Sequence, residues 1–524
     1  MSDFESAKVK VKQGWLQGYV DGKLKIFKGI PYAAPPVGAL RFRHPQDPGR
    51  WRGVRAAKEY SAAAIQHVRE FSELPANVHG VPQIMARSQY EEDCLYLNVW
   101  SPAKSPEDKL PVFVWIHGGG MVAGSGVEVV CDGDGFAKRK DVVVVTINYR
   151  LGFFGFFAHP DLTKEAGTSG NYALYDMRKA CQWLKENIAV FGGDPNNITV
   201  AGQSGGAAGT GALLASPLMK GLIEHVSIES GPIYWGFMQP PMLADVEQRG
   251  VEFMKLVGCE TIEELRQRDA WDLFDEYEKL GRGPMSFSFC IDGQFLPEPY
   301  QQAMDAGHFN DFDVLMGSCA QEFPIRRPGQ ITVEEFNKYL EETFPDNVEN
   351  MKKWYPATNT AEAAKNLATI SSDIMLCGSI RIGQLCHQYG KKAFIWLMVK
   401  ENETERGHTF GCPHCAEMPY VFGRVDKGES NPFADYHWVG ADYDFMEQIQ
   451  GYWYNFCKNG DPNGDGLPVW KQYAADFDVN ELGNFTHMIT EDPEKIAKYT
   501  YYYNKIKDRP SGSRGGGLRD LPRL

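Results

Sequence analysis

The feature that most constrains the fold of this chain is the sequence Gly-Gln-Ser-Gly-Gly at residues 202–206. It follows a short apolar run at residues 198–201 and precedes a stretch of small residues typical of a helix. Glycines around Ser204 permit a sharp strand-to-helix turn, and a side chain at Gly202 or Gly206 would collide with the neighbouring strand or helix. A serine hydroxyl is weakly reactive in water, so such a turn predicts that Ser204 is a nucleophile held beside a base.

A second glycine motif lies well upstream of the serine. The sequence His-Gly-Gly-Gly at residues 117–120 ends the apolar run at residues 111–116. Successive glycines leave backbone N–H groups unshielded, and a tetrahedral intermediate needs such donors directed at its developing negative charge. The sequence therefore predicts an oxyanion hole formed by the N–H groups of Gly119, Gly120 and Gly205.

The coarse pattern along the chain is an alternation of strands and helices. Short runs that are apolar on both sides predict a buried, mostly parallel sheet, with strands near 111–116, 142–148, 198–201, 225–229, 313–317 and 393–398. Apolar residues at helical spacing predict a helix packed on that sheet; they are Leu174, Met177, Cys181, Leu184 and Ile188. These elements predict an α/β fold.

These motifs resemble the type B carboxylesterases of the α/β-hydrolase fold, the family that also contains the cholinesterases. Further similar stretches lie at residues 27–33, 35–38, 92–100, 148–152, 170–174, 191–199, 453–456 and 459–463, with Trp470 after them. The resemblance implies one α/β-hydrolase domain over residues 1–508, with a mostly parallel central sheet flanked by helices. Insertions at about 236–312 and 333–390 are expected to form a cap that shapes the substrate gorge, and residues 509–524 to form a disordered tail.

The resemblance also identifies an acid for the triad, which this fold carries in the chain order Ser, acid, His. The family places that acid after a strand-end glycine, and Glu322 has this position. Gln321 and Phe323 stand beside it where Asp and Gly are usual in the family. Glu341 and Glu342 are the alternatives, but they lie in a charged segment with a helical pattern.

Two histidines follow the strand predicted at 393–398, and both are candidates for the base. The stretch after His414, residues 415–423, is similar to the family's sequence after its catalytic histidine, whereas His408 lacks that sequel. The near-neutral pKa of histidine would let His414 take the Ser204 proton and return it to the leaving alcohol. His117 is expected to orient the oxyanion loop rather than to titrate.

Cys412 and Cys415 form a C-x-x-C pattern around His414. Such a pair can indicate thioredoxin-like redox chemistry or a metal site. A redox pair is expected to begin a helix after a strand, and a structural zinc site normally has a second ligand pair; the sequence shows neither. We interpret the two residues as reduced thiols, and no metal or organic cofactor is implied.

Composition sets limits on partners and location. The net charge of −14 argues against nucleic acid and anionic membrane surfaces as partners, because both require clustered cations. No apolar run approaches the roughly 18 residues of a membrane span. The N-terminal residues have no signal-peptide pattern, and Cys94, which pairs with an upstream cysteine in many secreted relatives, has no cysteine before it. The expectation is a cytoplasmic enzyme.

The sequence gives weaker information on the substrate. Cholinesterases bind a quaternary ammonium over an indole ring in the loop before the Cys94 motif, but no tryptophan lies between residues 67 and 93. Gln203 replaces the glutamate usual before the nucleophile, which removes a charge that would favour a cation. Met121, Met285 and Phe287 are predicted to line an apolar acyl pocket of moderate width, and Gln203 is predicted to contact the substrate.

The combined prediction is a serine carboxylesterase for small, uncharged esters that forms an acyl-enzyme intermediate. Ser204 attacks the ester, His414 acts as base and then acid, and Glu322 stabilises the imidazolium. The resemblance further implies tolerance of bulky or tertiary alcohol esters. Three alternatives stay open: an esterase specialised for feruloyl or aromatic esters, a lipase, and a non-catalytic binding protein on the same fold.

Overall fold

The computed structural model describes residues 3–67, 89–231, 240–281, 287–323, 327–425, 438–474, 477–489 and 492–506. These residues form two compact units. The first contains residues 3–67, 89–227, 240–281 and 287–312, and the second contains residues 228–231, 313–323 and those described from 327 onward. Met285 and the predicted tail at 509–524 lie outside the described residues.

The first unit contains most of the strands. They are β1 (Lys8–Val11), β2 (Gly14–Gln17), β3 (Tyr19–Asp21), β4 (Leu24–Pro31), β5 (Val54–Ala56), β6 (Ala63–Ala64), β7 (Tyr90–Glu91), β8 (Tyr96–Ser101), β9 (Leu110–Ile116), β10 (Val143–Ile147) and β11 (Gly193–Gln203). The main sheet has the order β11-β9-β10-β8-β4-β3. Its β9, β10 and β11 are parallel, whereas β8, β4 and β3 are joined by antiparallel pairing. Strand β12 (His225–Glu229) contains the boundary between the units.

The helices of the first unit are α1 (Asp134–Arg139), α2 (Gly152–Phe156), α3 (Pro160–Ala166), α4 (Tyr172–Asn187), α5 (Gly205–Ala215), α6 (Leu243–Leu256), α7 (Ile262–Gln267), α8 (Ala270–Lys279) and α9 (Tyr300–Asp305). The apolar stripe predicted for α4 is buried, which confirms that it packs in the core. Every residue of α5 is buried, because this helix consists of Gly, Ala, Thr and Leu, whose small or apolar side chains suit an interior position.

The second unit has strands β13 (Asp313–Cys319), β14 (Ala393–Met398), β15 (Val479–Leu482) and β16 (His487–Met488). Strands β13, β14 and β15 are parallel, and β16 is antiparallel to β15. Its helices are α10 (Val333–Thr343), α11 (Val348–Trp354), α12 (Thr360–Gln388), α13 (Glu405–Phe410), α14 (Met418–Val421), α15 (Gly440–Asn459) and α16 (Pro493–Ile506).

The six strands predicted from sequence are all present, as β9, β10, β11, β12, β13 and β14. Both predicted cap segments contain helices, α6 to α9 in one and α10 to α12 in the other. Two of these helices begin with a capping box, in which Thr261 pairs with Glu264 and Thr332 with Glu335. That the two segments form a cap over a gorge stays a prediction.

Candidate active site

Ser204 lies at the junction between β11 and α5, as the sequence predicts. Its backbone has φ 55° and ψ −120°, a region that residues with a side chain rarely occupy. A Cβ atom on Gly202 would lie 2.4 Å from the Gly206 carbonyl oxygen, and one on Gly206 would lie 2.0 Å from the Ile116 oxygen. The predicted collisions at both glycines are therefore confirmed, and only glycine at these positions lets the turn form.

The loop after β9 lies against the first residue of α5. Gly119, Gly120 and Met121 all have positive φ, at 102°, 64° and 61°. A Cβ on Gly205 would lie 2.7 Å from the Gly120 nitrogen. Within the described residues, no atom accepts a hydrogen bond from the N–H of Gly119, Gly120 or Gly205. These three predicted donors are thus grouped and available to an anion.

His117 and the motif at residues 148–152 support this loop. The His117 ring donates from Nδ1 to the Gly118 oxygen at 2.9 Å, and burial lowers its pKa to about 4, so it is neutral at ordinary pH. Tyr149 stacks on that ring at 4.4 Å and donates its hydroxyl proton to the His117 oxygen at 2.8 Å. The Gly152 N–H donates to the Met121 oxygen at 2.8 Å. The expected orienting role of His117 agrees with these contacts.

The predicted acid and base lie together in the second unit. The Glu322 Oε2 atom accepts a short hydrogen bond from Nδ1 of His414, and both side chains are buried. The other carboxylate oxygen accepts from the Cys319 N–H at 3.0 Å, and the Glu322 N–H donates to the Ala368 oxygen at 3.2 Å. With the proton of the neutral ring fixed on Nδ1, Nε2 is the nitrogen that can accept a proton.

The charge state of His414 depends on two opposing effects. Burial lowers its pKa, whereas Cys415 and the Glu322 carboxylate raise it, and the result lies well above the ordinary value of 6.5. Burial also raises the pKa of the Cys415 thiol, which is therefore uncharged at neutral pH. The group that favours the imidazolium at neutral pH is consequently Glu322.

Gln321 has a role that the sequence did not reveal. Its side-chain oxygen accepts from the Cys412 N–H at 2.6 Å, and its own N–H donates to the Cys412 oxygen at 3.0 Å. Its amide nitrogen donates to the Thr369 hydroxyl at 3.1 Å. Gln321 thus joins the segment that carries Glu322 to the segment that carries His414. No local signal could have shown this, because Cys412 lies 91 residues further along the chain.

Phe323, the second departure from the family pattern, lies beside His414, the predicted base. Its ring centroid is 4.5 Å from that of His414, with the two planes at 52°. The Phe323 side chain is 40% exposed, whereas Glu322 and His414 are 0% and 7% exposed. A partly exposed apolar ring therefore adjoins the buried pair of Glu322 and His414.

The predicted pocket residues lie in different surroundings. Gln203 is buried, and its side-chain oxygen approaches Gly118, where a Cβ would be 2.8 Å away. Met121 is buried against α5, with its methyl carbon 3.0 Å from the position of a Cβ on Gly209. Phe287 is buried in an aromatic cluster with Phe153, Phe157, Phe253 and Tyr277. That these residues line an acyl pocket stays a prediction.

The alternative candidates are elsewhere. Glu341 and Glu342 lie in α10, and His408 lies in α13 with its side chain 62% exposed.

All 11 cysteines are free thiols, including Cys412 and Cys415. The described residues contain no cluster of three side chains suited to a metal ion. None of the helices in the described part of the chain has the length and apolar character that a membrane crossing requires.

The serine turn at the end of a parallel strand, with a glycine loop after the adjacent strand, defines the class of α/β-hydrolases. A solved structure of a PNB esterase has this fold and superposes with a TM-score of 0.75, at 27% identity, over 94% of this chain and 99% of its own. Within that class, the chain belongs to the carboxylesterase family, whose model matches residues 5–500.

Several curated relatives are similar over most of their length. Fumonisin B1 esterase of Sphingopyxis macrogoltabida is 34% identical over 90% of this chain and 86% of its own length. The medium-chain fatty acyl-CoA hydrolase precursor of Anas platyrhynchos is 31% identical over 90% and 88%. Carboxylesterase 1D of Rattus norvegicus is 30% identical over 90% and 87%. The protein is therefore a carboxylic ester hydrolase.

Proposed function

We propose that this carboxylesterase hydrolyses small, uncharged esters through an acyl-enzyme on Ser204. The observation that carries the proposal is the placement of Ser204 beside three unpaired backbone N–H groups, those of Gly119, Gly120 and Gly205. Donors held in this way stabilise the oxyanion that forms when a serine attacks an ester carbonyl, and loss of one typically costs about a hundred- to a thousandfold in rate.

His414 and Glu322 supply the proton transfers in this mechanism. His414 takes the Ser204 proton at Nε2, and the resulting imidazolium is stabilised by the buried Glu322 carboxylate at Nδ1. The imidazolium then protonates the leaving alcohol, and in the second half-reaction His414 activates the water that releases the acid.

Neutral esters are the substrate class that the residues support best. Gln203, the buried neighbour of Ser204, brings no charge to the site, so it gives no preference for a cationic substrate. Three relatives are named as a fumonisin B1 esterase, a phenmedipham hydrolase and a medium-chain fatty acyl-CoA hydrolase. These names differ in substrate, so they support hydrolysis without favouring one substrate. We extend the proposal to bulky and tertiary alcohol esters because of the three glycines at 118–120.

Hydrolysis of p-nitrophenyl esters from acetate to octanoate, by the wild type and by Ser204→Ala, tests the proposal. We expect rates that are highest for short acyl chains and a loss of at least about ten-thousandfold in the variant. The matched control is Ser216→Ala, at the other end of α5, where the hydroxyl has no hydrogen-bond partner within the described residues and wild-type activity is expected. Rates that increase up to octanoate and rise at an oil interface would favour the lipase. A Ser204→Ala variant with undiminished activity would exclude the proposed nucleophile.

A further inference from the structure

Phe323 carries a large apolar ring that is partly exposed beside His414. A large apolar side chain that is 40% exposed leaves part of its surface in water, and burial of that surface would be favourable. Its ring instead lies 4.5 Å from the imidazole of His414, within the range of a favourable aromatic contact. The exposed part of Phe323 is therefore a hydrophobic surface next to the reacting group.

The chemistry of the reaction places the alcohol group of the ester near this surface. The alcohol oxygen must come within hydrogen-bond distance of Nε2 when His414 protonates it, which puts that oxygen about 4 Å from the centre of the imidazole. The Phe323 ring centre is 4.5 Å from the same point. The alcohol carbon bonded to that oxygen is thus placed among the groups that surround the imidazole, and the Phe323 ring is one of these groups.

We propose that Phe323 is a specificity-determining residue that contacts the alcohol group of the ester and favours alcohols that carry an apolar ring, such as benzyl alcohol. This inference rests on the proposed function, because it assumes that His414 protonates the leaving alcohol. Phe323 supplies a face on which such a ring packs, and the contact removes the exposed surface of both rings from water. A short alkyl alcohol is too small to make this contact.

The test compares benzyl acetate with ethyl acetate as substrates of the wild type, Phe323→Ala and Phe323→Leu. Both esters give the same acetyl-enzyme, so the ratio of their kcat/KM values reports only the steps in which the alcohol is still bound. We expect Phe323→Ala to lower the benzyl-to-ethyl ratio by about threefold to tenfold, the size of one aromatic pair, with Phe323→Leu between. Phe485→Ala is the matched control, because Phe485 is 87% exposed and distant in sequence from both segments; its ratio should equal that of the wild type.

A second readout follows from the reverse reaction. The acetyl-enzyme formed from p-nitrophenyl acetate partitions between water and an added alcohol, and we expect Phe323→Ala to reduce transfer to benzyl alcohol but not to methanol. If the variants lower kcat/KM equally for both esters and leave the partition unchanged, Phe323 only packs against His414 and the proposal is wrong. If the wild type hydrolyses none of the three esters, benzyl acetate, ethyl acetate and p-nitrophenyl acetate, the proposed function itself fails.

Discussion

The backbone of Ser204 is in a conformation that costs an L-residue about 1–3 kcal/mol. This cost arises because β11 ends and α5 begins within a single residue, and Gly202 and Gly206 leave no space for a gentler turn. The strain belongs to the Cβ atom of Ser204 and is independent of its hydroxyl. Activity and stability at this position can therefore be separated by choice of substitution.

We predict that Ser204→Gly and Ser204→Ala are equally inactive but differ in stability. Glycine relieves the backbone strain at φ 55°, but it also increases the conformational entropy of the unfolded chain, which opposes part of this gain. The free energy of unfolding of Ser204→Gly should therefore exceed that of Ser204→Ala by about 1 kcal/mol. Thermal unfolding of both variants measures the difference. Equal melting temperatures would show that the turn imposes no strain on residue 204.

A second prediction concerns the pH dependence set by His414. Its pKa is raised well above 6.5, and the base must be neutral to act, so kcat/KM should fall as the pH drops through that raised value. The same shift stabilises the folded state below pH 6.5, and this contribution is lost as the pH rises through the raised pKa. The pH profile of p-nitrophenyl acetate hydrolysis measures the activity limb.

Glu322→Gln provides the matched comparison for that profile. It removes the carboxylate that favours the imidazolium, so the midpoint of the limb should shift to lower pH while kcat falls by orders of magnitude. A wild-type midpoint at or below 6.5, or one unchanged in Glu322→Gln, would contradict this account of the pair.

At the scale of the elements, the proposed acid and base are carried by segments that follow two adjacent parallel strands, β13 and β14. Gln321 binds one segment to the other through both the N–H and the oxygen of Cys412. Gly411 precedes that contact with φ 72°, and a Cβ there would lie 2.1 Å from the Gln321 side-chain oxygen. The relative position of Glu322 and His414 thus depends on the hydrogen bonds of Gln321, which lies outside the proposed triad.

We predict that Gln321→Ala lowers kcat by about tenfold to a hundredfold with little change in KM, because a shift of about 1 Å in a catalytic group can cost that much. Gln321→Glu keeps an acceptor for the Cys412 N–H and should restore most of kcat, although it loses the donor to Thr369. Steady-state kinetics on p-nitrophenyl acetate measure both values. A KM effect without a kcat effect would place Gln321 in substrate binding instead.

The strands and the serine turn could be predicted from sequence because their signals are local. Runs such as 111–116 are apolar on both sides, and the glycines around Ser204 are required by collisions with residues already close in the chain or in the next strand. The hydrogen bonds of Gln321 and the ring contact of Phe323 depend on partners about 90 residues away, Cys412 and His414 respectively. A single sequence contains no information that joins such positions without a known fold.

The acyl pocket is the part of the proposed site that a sequence pattern specifies least. The apolar side chain of Phe287 suits a pocket wall, and it equally suits the buried core, where phenylalanine is common. In the structure Phe287 packs in an aromatic cluster. Sequence pattern identifies a side chain as apolar, but the choice between core and pocket depends on tertiary packing. The serine and the glycines were identifiable because their chemistry and backbone geometry admit few other residues.

At the scale of the whole molecule, the acidic composition gives a prediction about partners. A net charge of −14 and a pI of about 5.4 produce repulsion from phosphate backbones at neutral pH. We expect the protein not to bind duplex DNA at 50 mM salt or below, the condition in which non-specific binding is strongest. Electrophoretic mobility of labelled DNA with increasing protein measures this, with a basic protein as the positive control. A shift at micromolar protein that disappears with added salt would contradict it.

The proposed donors of the oxyanion hole belong to the main chain, and this limits what mutagenesis can show about them. Alanine at Gly119 would bring a methyl group within 2.1 Å of the Ala123 oxygen, and alanine at Gly205 within 2.6 Å of the Met121 nitrogen. Either variant keeps its backbone N–H but displaces the surrounding chain. Its loss of activity would therefore report the steric displacement and not the loss of a hydrogen-bond donor. Semisynthesis that replaces one peptide bond by an ester removes the donor alone, and only such a protein would report what each hydrogen bond contributes to catalysis.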